Sequence, residues 1–159
     1  MMLPRMPQRP RRAAMMRRCT FSIPTAMGDQ IHMLALDAQR LLDCEVSRAA
    51  LFRAALIPWI EKAEGSSLVN MHEEIRRAAP PDGTLVQRCK PAFPRELTVK
   101  LDRLRQKLGG VLCRHAVEGR SALALAALTP WLEDASRDLG AALEGIRVGI
   151  VKRGRKPNQ

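Results

Sequence analysis

One segment of this chain occurs twice. Arg48-Ala49-Ala50-Leu51-Phe52-Arg53-Ala54-Ala55-Leu56-Ile57-Pro58-Trp59-Ile60-Glu61 returns 72 positions later as Arg120-Ser121-Ala122-Leu123-Ala124-Leu125-Ala126-Ala127-Leu128-Thr129-Pro130-Trp131-Leu132-Glu133. Trp59 and Trp131 are the only two tryptophans, and each directly follows a proline. The chain therefore reads as a tandem duplication. The period is too long for a solenoid and fits two copies of one small domain. With 159 residues in all, each half is too small for a comfortable core of its own, so the halves are expected to fold around each other.

Charge narrows the partners. Lys and Arg number 27 against 16 Asp and Glu, a formal charge of +11, which favours a polyanion: nucleic acid first, an anionic membrane surface second. A hydrophobic content of 46% supports a folded core and excludes a disordered polycation. No apolar run approaches the roughly 20 residues that cross a bilayer, so no membrane-spanning segment is expected. Of the two polyanions, DNA is the expected partner and a membrane is not. Residues 1–17 read as a basic arm, for Met1 to Arg18 hold six arginines and no apolar signal core. Pro4, Pro7 and Pro10 oppose the amphipathic helix of a presequence.

Cys19, Cys44, Cys89 and Cys113 are far apart and form no Cys-x-x-Cys pair, so buried thiols in a reducing cytosol are expected and a metal is not. No Gly-rich phosphate loop, paired catalytic carboxylates or nucleophile–base set appears. The chain is expected to be no enzyme and to need no cofactor.

Each copy opens on a short alternating segment. Arg18-Cys19-Thr20-Phe21-Ser22-Ile23 ends at Pro24, and Arg88-Cys89-Lys90-Pro91-Ala92-Phe93 ends at Pro94. Period two places Cys19, Phe21 and Ile23 inward and Arg18, Thr20 and Ser22 outward; in the second copy Cys89, Pro91 and Phe93 face in, and Arg88, Lys90 and Ala92 out. One six-residue strand is unstable alone, but two paired antiparallel form a ribbon over a helical core. Pro91 is tolerable in it only where its missing donor faces away from the partner.

An amphipathic helix follows, with a stripe of Ile31, Leu34, Ala35, Ala38, Leu41 and Leu42, matched by Leu97, Leu101, Leu104 and Leu108 and broken at Gly109-Gly110. The next helix starts at Ser47, a natural N-cap, and near Gly119-Arg120-Ser121. Its apolar, small-residue run marks a buried helix; Pro58 and Pro130 either kink it, the favoured reading, or begin a new one. A third helix closes each unit, Leu68 to Ala79 capped by Ser66, and a segment from Asp138 to about Ile146. The expected organisation is a first repeat over 18–79, a linker over 80–87, a second repeat over 88–148 and a basic tail over 149–159.

A strand, a helix, a turn and a buried helix, with Phe93-Pro94-Arg95-Glu96-Leu97 at the strand end and Glu118-Gly119-Arg120-Ser121 at the turn, resemble the ribbon–helix–helix family of DNA-binding proteins, the group of the Arc and MetJ repressors. The resemblance covers Arg18 to about Ala63 and Arg88 to about Ala135. Two copies in one chain are similar to the TraY subgroup of plasmid conjugation, where one polypeptide supplies what is usually a homodimer. The resemblance implies a mainly α fold and an intramolecular pseudo-dimer with a two-stranded antiparallel ribbon, to which the third helix of each copy is an addition. It implies that the ribbon enters the major groove of double-stranded DNA, with Arg18, Thr20, Ser22, Arg88, Lys90 and Ala92 contacting bases. Ser47, Arg48, Arg120 and Ser121, at helix starts, would meet phosphates. Ala92 offers only a methyl group, so the site should be asymmetric. The tail Arg153-Gly154-Arg155-Lys156-Pro157 is similar to an AT-hook with an inserted lysine; a solvated tail whose Arg153 and Arg155 touch phosphates is the plainer reading.

The resulting expectation is a bacterial, cytoplasmic, nucleoid-associated DNA-binding protein: a repressor or a plasmid or mobile-element accessory factor, acting as a monomer or side by side on DNA. The alternative is an antitoxin or other protein-binding module, favoured if Met71 or Ile75 of the third helix is exposed. A toxin, relaxase or polymerase is left open as a protein partner.

Overall fold

The computed structural model describes residues 16–113 and 119–150, and of 110–113 only the backbone. Its first extended stretch comprises β1 (Met16–Arg18) and β2 (Phe21–Pro24); its second comprises β3 (Val86–Cys89) and β4 (Ala92–Pro94). β1 pairs with β4 and β2 with β3, both antiparallel and in one register, with Arg18 opposite Ala92 and Ser22 opposite Arg88. Between the two ladders the Cys19 amide donates to the Pro91 carbonyl at 3.0 Å, so they are halves of one ribbon.

That bond corrects the expectation for Pro91. Cys19 and Pro91 face each other at a hydrogen-bonded position, where each residue normally donates one amide, and Pro91 has none to return. The missing bond splits the ribbon into two ladders. Pro24 and Pro94 cost nothing comparable. They alternate with the hydrogen-bonded positions, as the next residue, Thr25, shows by donating to Leu85 at 2.9 Å. Both strands start two residues earlier than expected, at Met16 and Val86, which shortens the linker.

Each strand runs straight into a helix: α1 (Thr25–Leu42) after Pro24 and α4 (Arg95–Cys113) after Pro94. Two further helices follow in each half: α2 (Arg48–Ala63) and α3 (Leu68–Ala78), then α5 (Gly119–Arg137) and α6 (Leu139–Gly149). The fold is mainly α, with the antiparallel ribbon as its β part. α2 and α5 cross beneath it, buried without interruption over Ala50–Leu56 and Ser121–Leu128. Small residues there let the helices approach closely. The three phenylalanines join both halves: Phe21 of β2 stacks on Phe52 of α2 at 6.0 Å and meets Phe93 of β4 edge-on at 5.8 Å.

The third helices cross over. α3 packs chiefly on α5, and α6 chiefly on α2 with lesser contacts to α5 and α1, so each closes on a core helix of the other half. Met71 and Ile75 of α3 are buried in that contact. Their burial removes the sign that would have favoured a protein-docking role for this helix. Trp59 and Trp131 are half-buried against the core, and the Trp59 indole donates to Glu74 of α3 at 2.8 Å.

Ser47 caps α2 and Asp138 caps α6, as expected. The cap of α3 is Ser67, which accepts from the Asn70 amide, while Ser66 donates its hydroxyl to Lys62 O. Pro58 and Pro130 both lie exposed inside single helices, so neither begins a new one. α4 leaves helical geometry at Gly109 (φ 0°, ψ −86°), in line with the expected break. Leu41 is exposed, not part of the stripe, because α1 is in its last turn before left-handed Asp43. Cys19 is buried, but Cys89 is half-buried and Cys44 is exposed, which corrects the uniform burial expected of the thiols.

Candidate nucleic-acid interface

Alternation along the ribbon sorts its side chains into two faces. Cys19, Phe21, Ile23, Pro91 and Phe93 are buried against the helices. The opposite face carries Arg18, Thr20 and Ser22 beside Ala92, Lys90 and Arg88, so all six expected base-contacting residues share one surface. Arg18, Arg88 and Lys90 are exposed and the three small residues are half-exposed. Met16, Pro24, Val86 and Pro94 extend this face at its ends, and it contains no carboxylate.

Some cations of the helices are neutralised locally, as in Arg40–Asp37, Arg76–Glu73, Lys100–Glu64 and Arg147–Glu144, whereas others among the described residues, such as Arg77 and Arg103, are not. Among the described residues Arg18, Arg88 and Lys90 enter no ion pair; Arg18 only donates to the Lys90 carbonyl, at 3.1 Å. Three uncompensated cations on a narrow, otherwise small-residue ribbon form a positive strip with little steric relief.

Helices hold both outer edges of the ribbon. At one edge the Ser22 amide donates to Ser121 Oγ at 2.7 Å, bringing the start of α5 against β2. At the other, Arg53 of α2 donates to Ala92 O at 2.6 Å and to Gly149 O, in the last turn of α6, at 2.7 Å. Arg53 is only 6% exposed, and its burial lowers its pKa below the usual arginine value. The α6 carbonyl end supplies the negative dipole that a buried guanidinium requires. Sequence reasoning missed Arg53, although its signal was visible: it is a lone charge in a buried run, and the matching residue of the second copy is Leu125.

The expected phosphate contacts divide. Ser47 and Arg48 are exposed at the start of α2. Arg120 makes a two-pronged pair with Asp102 of α4, both contacts at 2.9 Å, and these hydrogen bonds hold the Asp102 carboxyl below its ordinary pKa. Ser121 is fully buried with its hydroxyl on Ser22, so its side chain clasps the ribbon and does not face outward. Arg153 and Arg155 lie outside the described residues. Ile150 follows Gly149, so the chain leaves α6 beside the Ala92 edge of the ribbon.

No family model, curated protein or solved structure matches this chain. Among the described residues no helix is long and apolar enough to cross a membrane.

Proposed function

We propose that this chain is a sequence-specific double-stranded DNA-binding protein of the ribbon–helix–helix type, with both halves of the usual dimer in one polypeptide. It acts in the bacterial cytoplasm as a repressor or a plasmid or mobile-element accessory factor. The observation that carries this reading is the antiparallel ribbon whose outward face holds Arg18, Arg88 and Lys90 without ionic partners. A two-stranded ribbon fits the major groove, where arginine and lysine donate to guanine and serine or threonine meets either donors or acceptors. The exposed start of α2, at Ser47 and Arg48, would aim backbone amides at phosphates. Arg48 at the start of α2 adds charge there.

The test is a titration against a selected duplex and a random duplex at two salt concentrations. Specific binding should exceed random binding by about a thousandfold or more. Arg88→Ala and Lys90→Ala should each cost about 1–3 kcal/mol on the selected duplex. Equal affinity for all duplexes, or no effect of either substitution, overturns the reading.

A further inference from the structure

The shared register places Thr20 opposite Lys90 at the centre of the ribbon. These two residues also hold the same place in the two alternating segments, two positions after Arg18 and Arg88 respectively. The ribbon therefore has a pseudo-two-fold axis between Thr20 and Lys90. Arg18 and Arg88 become equivalent residues at its two ends, opposite Ala92 and Ser22. The outward face is thus symmetric in its two arginines and asymmetric elsewhere: Lys90 is matched to Thr20 at the centre, and Ala92 to Ser22 beside the arginines at the ends.

Resting on the proposed DNA-binding reading, we infer that the target is a pseudo-palindrome whose flanks are read alike by Arg18 and Arg88 and whose centre is read in one orientation through Lys90. Each arginine matches a guanine edge, and equivalent arginines on antiparallel strands address guanines on opposite DNA strands. The arginine positions lie four residues apart along the ribbon. At about 3.4 Å per residue this is roughly 14 Å, or about four base-pair steps at about 3.4 Å each. Lys90 stands over the middle of that span with three donors, where Thr20 alone brings a hydroxyl. Exchanging the central base pairs between strands moves a guanine from under the lysine to under the threonine. Because the flanks read alike, the protein recovers the contact by turning end for end, so the centre sets its orientation and not its affinity.

The experiment begins with duplex selection on the full chain. Inverting the centre of a site whose flanks match yields the same contacts read from the other end, so orientation is read directly, by DNA cleavage from a reagent attached to Cys44, which is exposed shortly before α2. On the selected site wild-type protein should cut one side in about tenfold or greater excess, and inverting the central base pairs should move the cuts to the other side. The double variant Lys90→Thr/Ala92→Ser makes both strands read Arg, Thr, Ser and should cut the two sides within about twofold. Thr20→Lys/Ser22→Ala symmetrises the face the other way and should do the same, which guards against misfolding of either variant. Thermal unfolding of both confirms that the fold is intact. Equal cutting on both sides by wild type, or a one-sided pattern that survives both double variants, overturns the inference and leaves DNA recognition standing. Selection that enriches no sequence overturns both.

Discussion

Ser121 Oγ accepts a hydrogen bond from the Ser22 amide at 2.7 Å, across 99 residues of sequence and between the two copies of the repeat. The amide points away from the β2–β3 ladder, so no strand can satisfy it. A hydroxyl at the start of α5 does so, and locks the edge of the ribbon to a core helix of the other half. The matching residue in the first copy is Ala49, which has no such group. Arg53 serves the opposite edge through a carbonyl. The halves are alike in outline and differ in how they grip the ribbon.

Ser121→Ala should therefore destabilise the protein by about 1–2 kcal/mol, the cost of an amide left without its partner in a part-buried site. Urea unfolding should show a lower midpoint at an unchanged slope. An unaltered midpoint would mean that water replaces the hydroxyl without loss.

Arg53 is the more demanding clasp. Arg53→Ala strands the carbonyls of Ala92 and Gly149 and opens space next to α6, for an expected loss of about 2–4 kcal/mol. Arg53→Lys should rescue little, since one ammonium lacks the planar fork that spans both acceptors. Equal midpoints for the lysine variant and wild type, read by thermal unfolding, would contradict this geometry.

Two glycines of α6 should respond oppositely to alanine. A Cβ at Gly149 would lie 2.7 Å from the Ala50 carbonyl, a backbone atom that cannot step aside, while a Cβ at Gly145 meets nothing within 4 Å. Gly145→Ala should stabilise by about 0.5–1 kcal/mol through helix propensity. Gly149→Ala should destabilise by about 1–3 kcal/mol as α6 is forced off α2. Calorimetric unfolding of the pair in parallel checks the contrast.

The Asp102–Arg120 pair predicts an acid dependence. Hydrogen bonding from Arg120 holds the folded carboxyl below its unfolded value, so the folded state keeps the charged form more readily. Its contribution is complete above the ordinary carboxylate pKa and fades as pH falls through the lower, folded value. The pair is partly exposed to solvent, which limits it to about 0.5–1 kcal/mol. Asp102→Asn should lower stability at neutral pH and converge with wild type in strong acid. Denaturant midpoints measured across the acid range would show whether the curves meet.

How much of this was legible in the chain depends on the range of the forces involved. Cys19, Phe21 and Ile23 betray a one-faced strand because burial of one face imposes period two locally. The buried helices show through their unbroken apolar runs, and Ser47 and Asp138 through cap chemistry that acts over three residues. The crossing of α3 onto α5 was not legible, because an amphipathic stripe states that a face is covered without stating by what. Ser121 looked like a helix-start residue facing an anion, and only its distance to Ser22 reassigns its hydroxyl. Pro91 reads from the sequence as a disturbance of its strand, but its hydrogen-bonding side follows from register, which the repeat alone does not specify. Leu41 fits the helical period, yet it falls where α1 ends and its face turns outward.

A final prediction separates the two kinds of DNA contact. Under the proposed function, Arg88 and Lys90 meet bases and Arg48 meets a phosphate. Neutralising a phosphate contact should weaken selected and random duplexes alike and flatten the plot of log affinity against log salt by about one unit. Arg48→Ala should behave in that way. Lys90→Ala should instead reduce affinity chiefly for the selected duplex, because its donors are spent on base edges that random DNA presents in the wrong pattern. Binding isotherms of both variants at several salt concentrations, on both duplexes, measure the slopes directly. If Lys90→Ala reproduced the uniform loss expected of Arg48→Ala, the ribbon would be acting as a charged strip and its alternation would carry no sequence information.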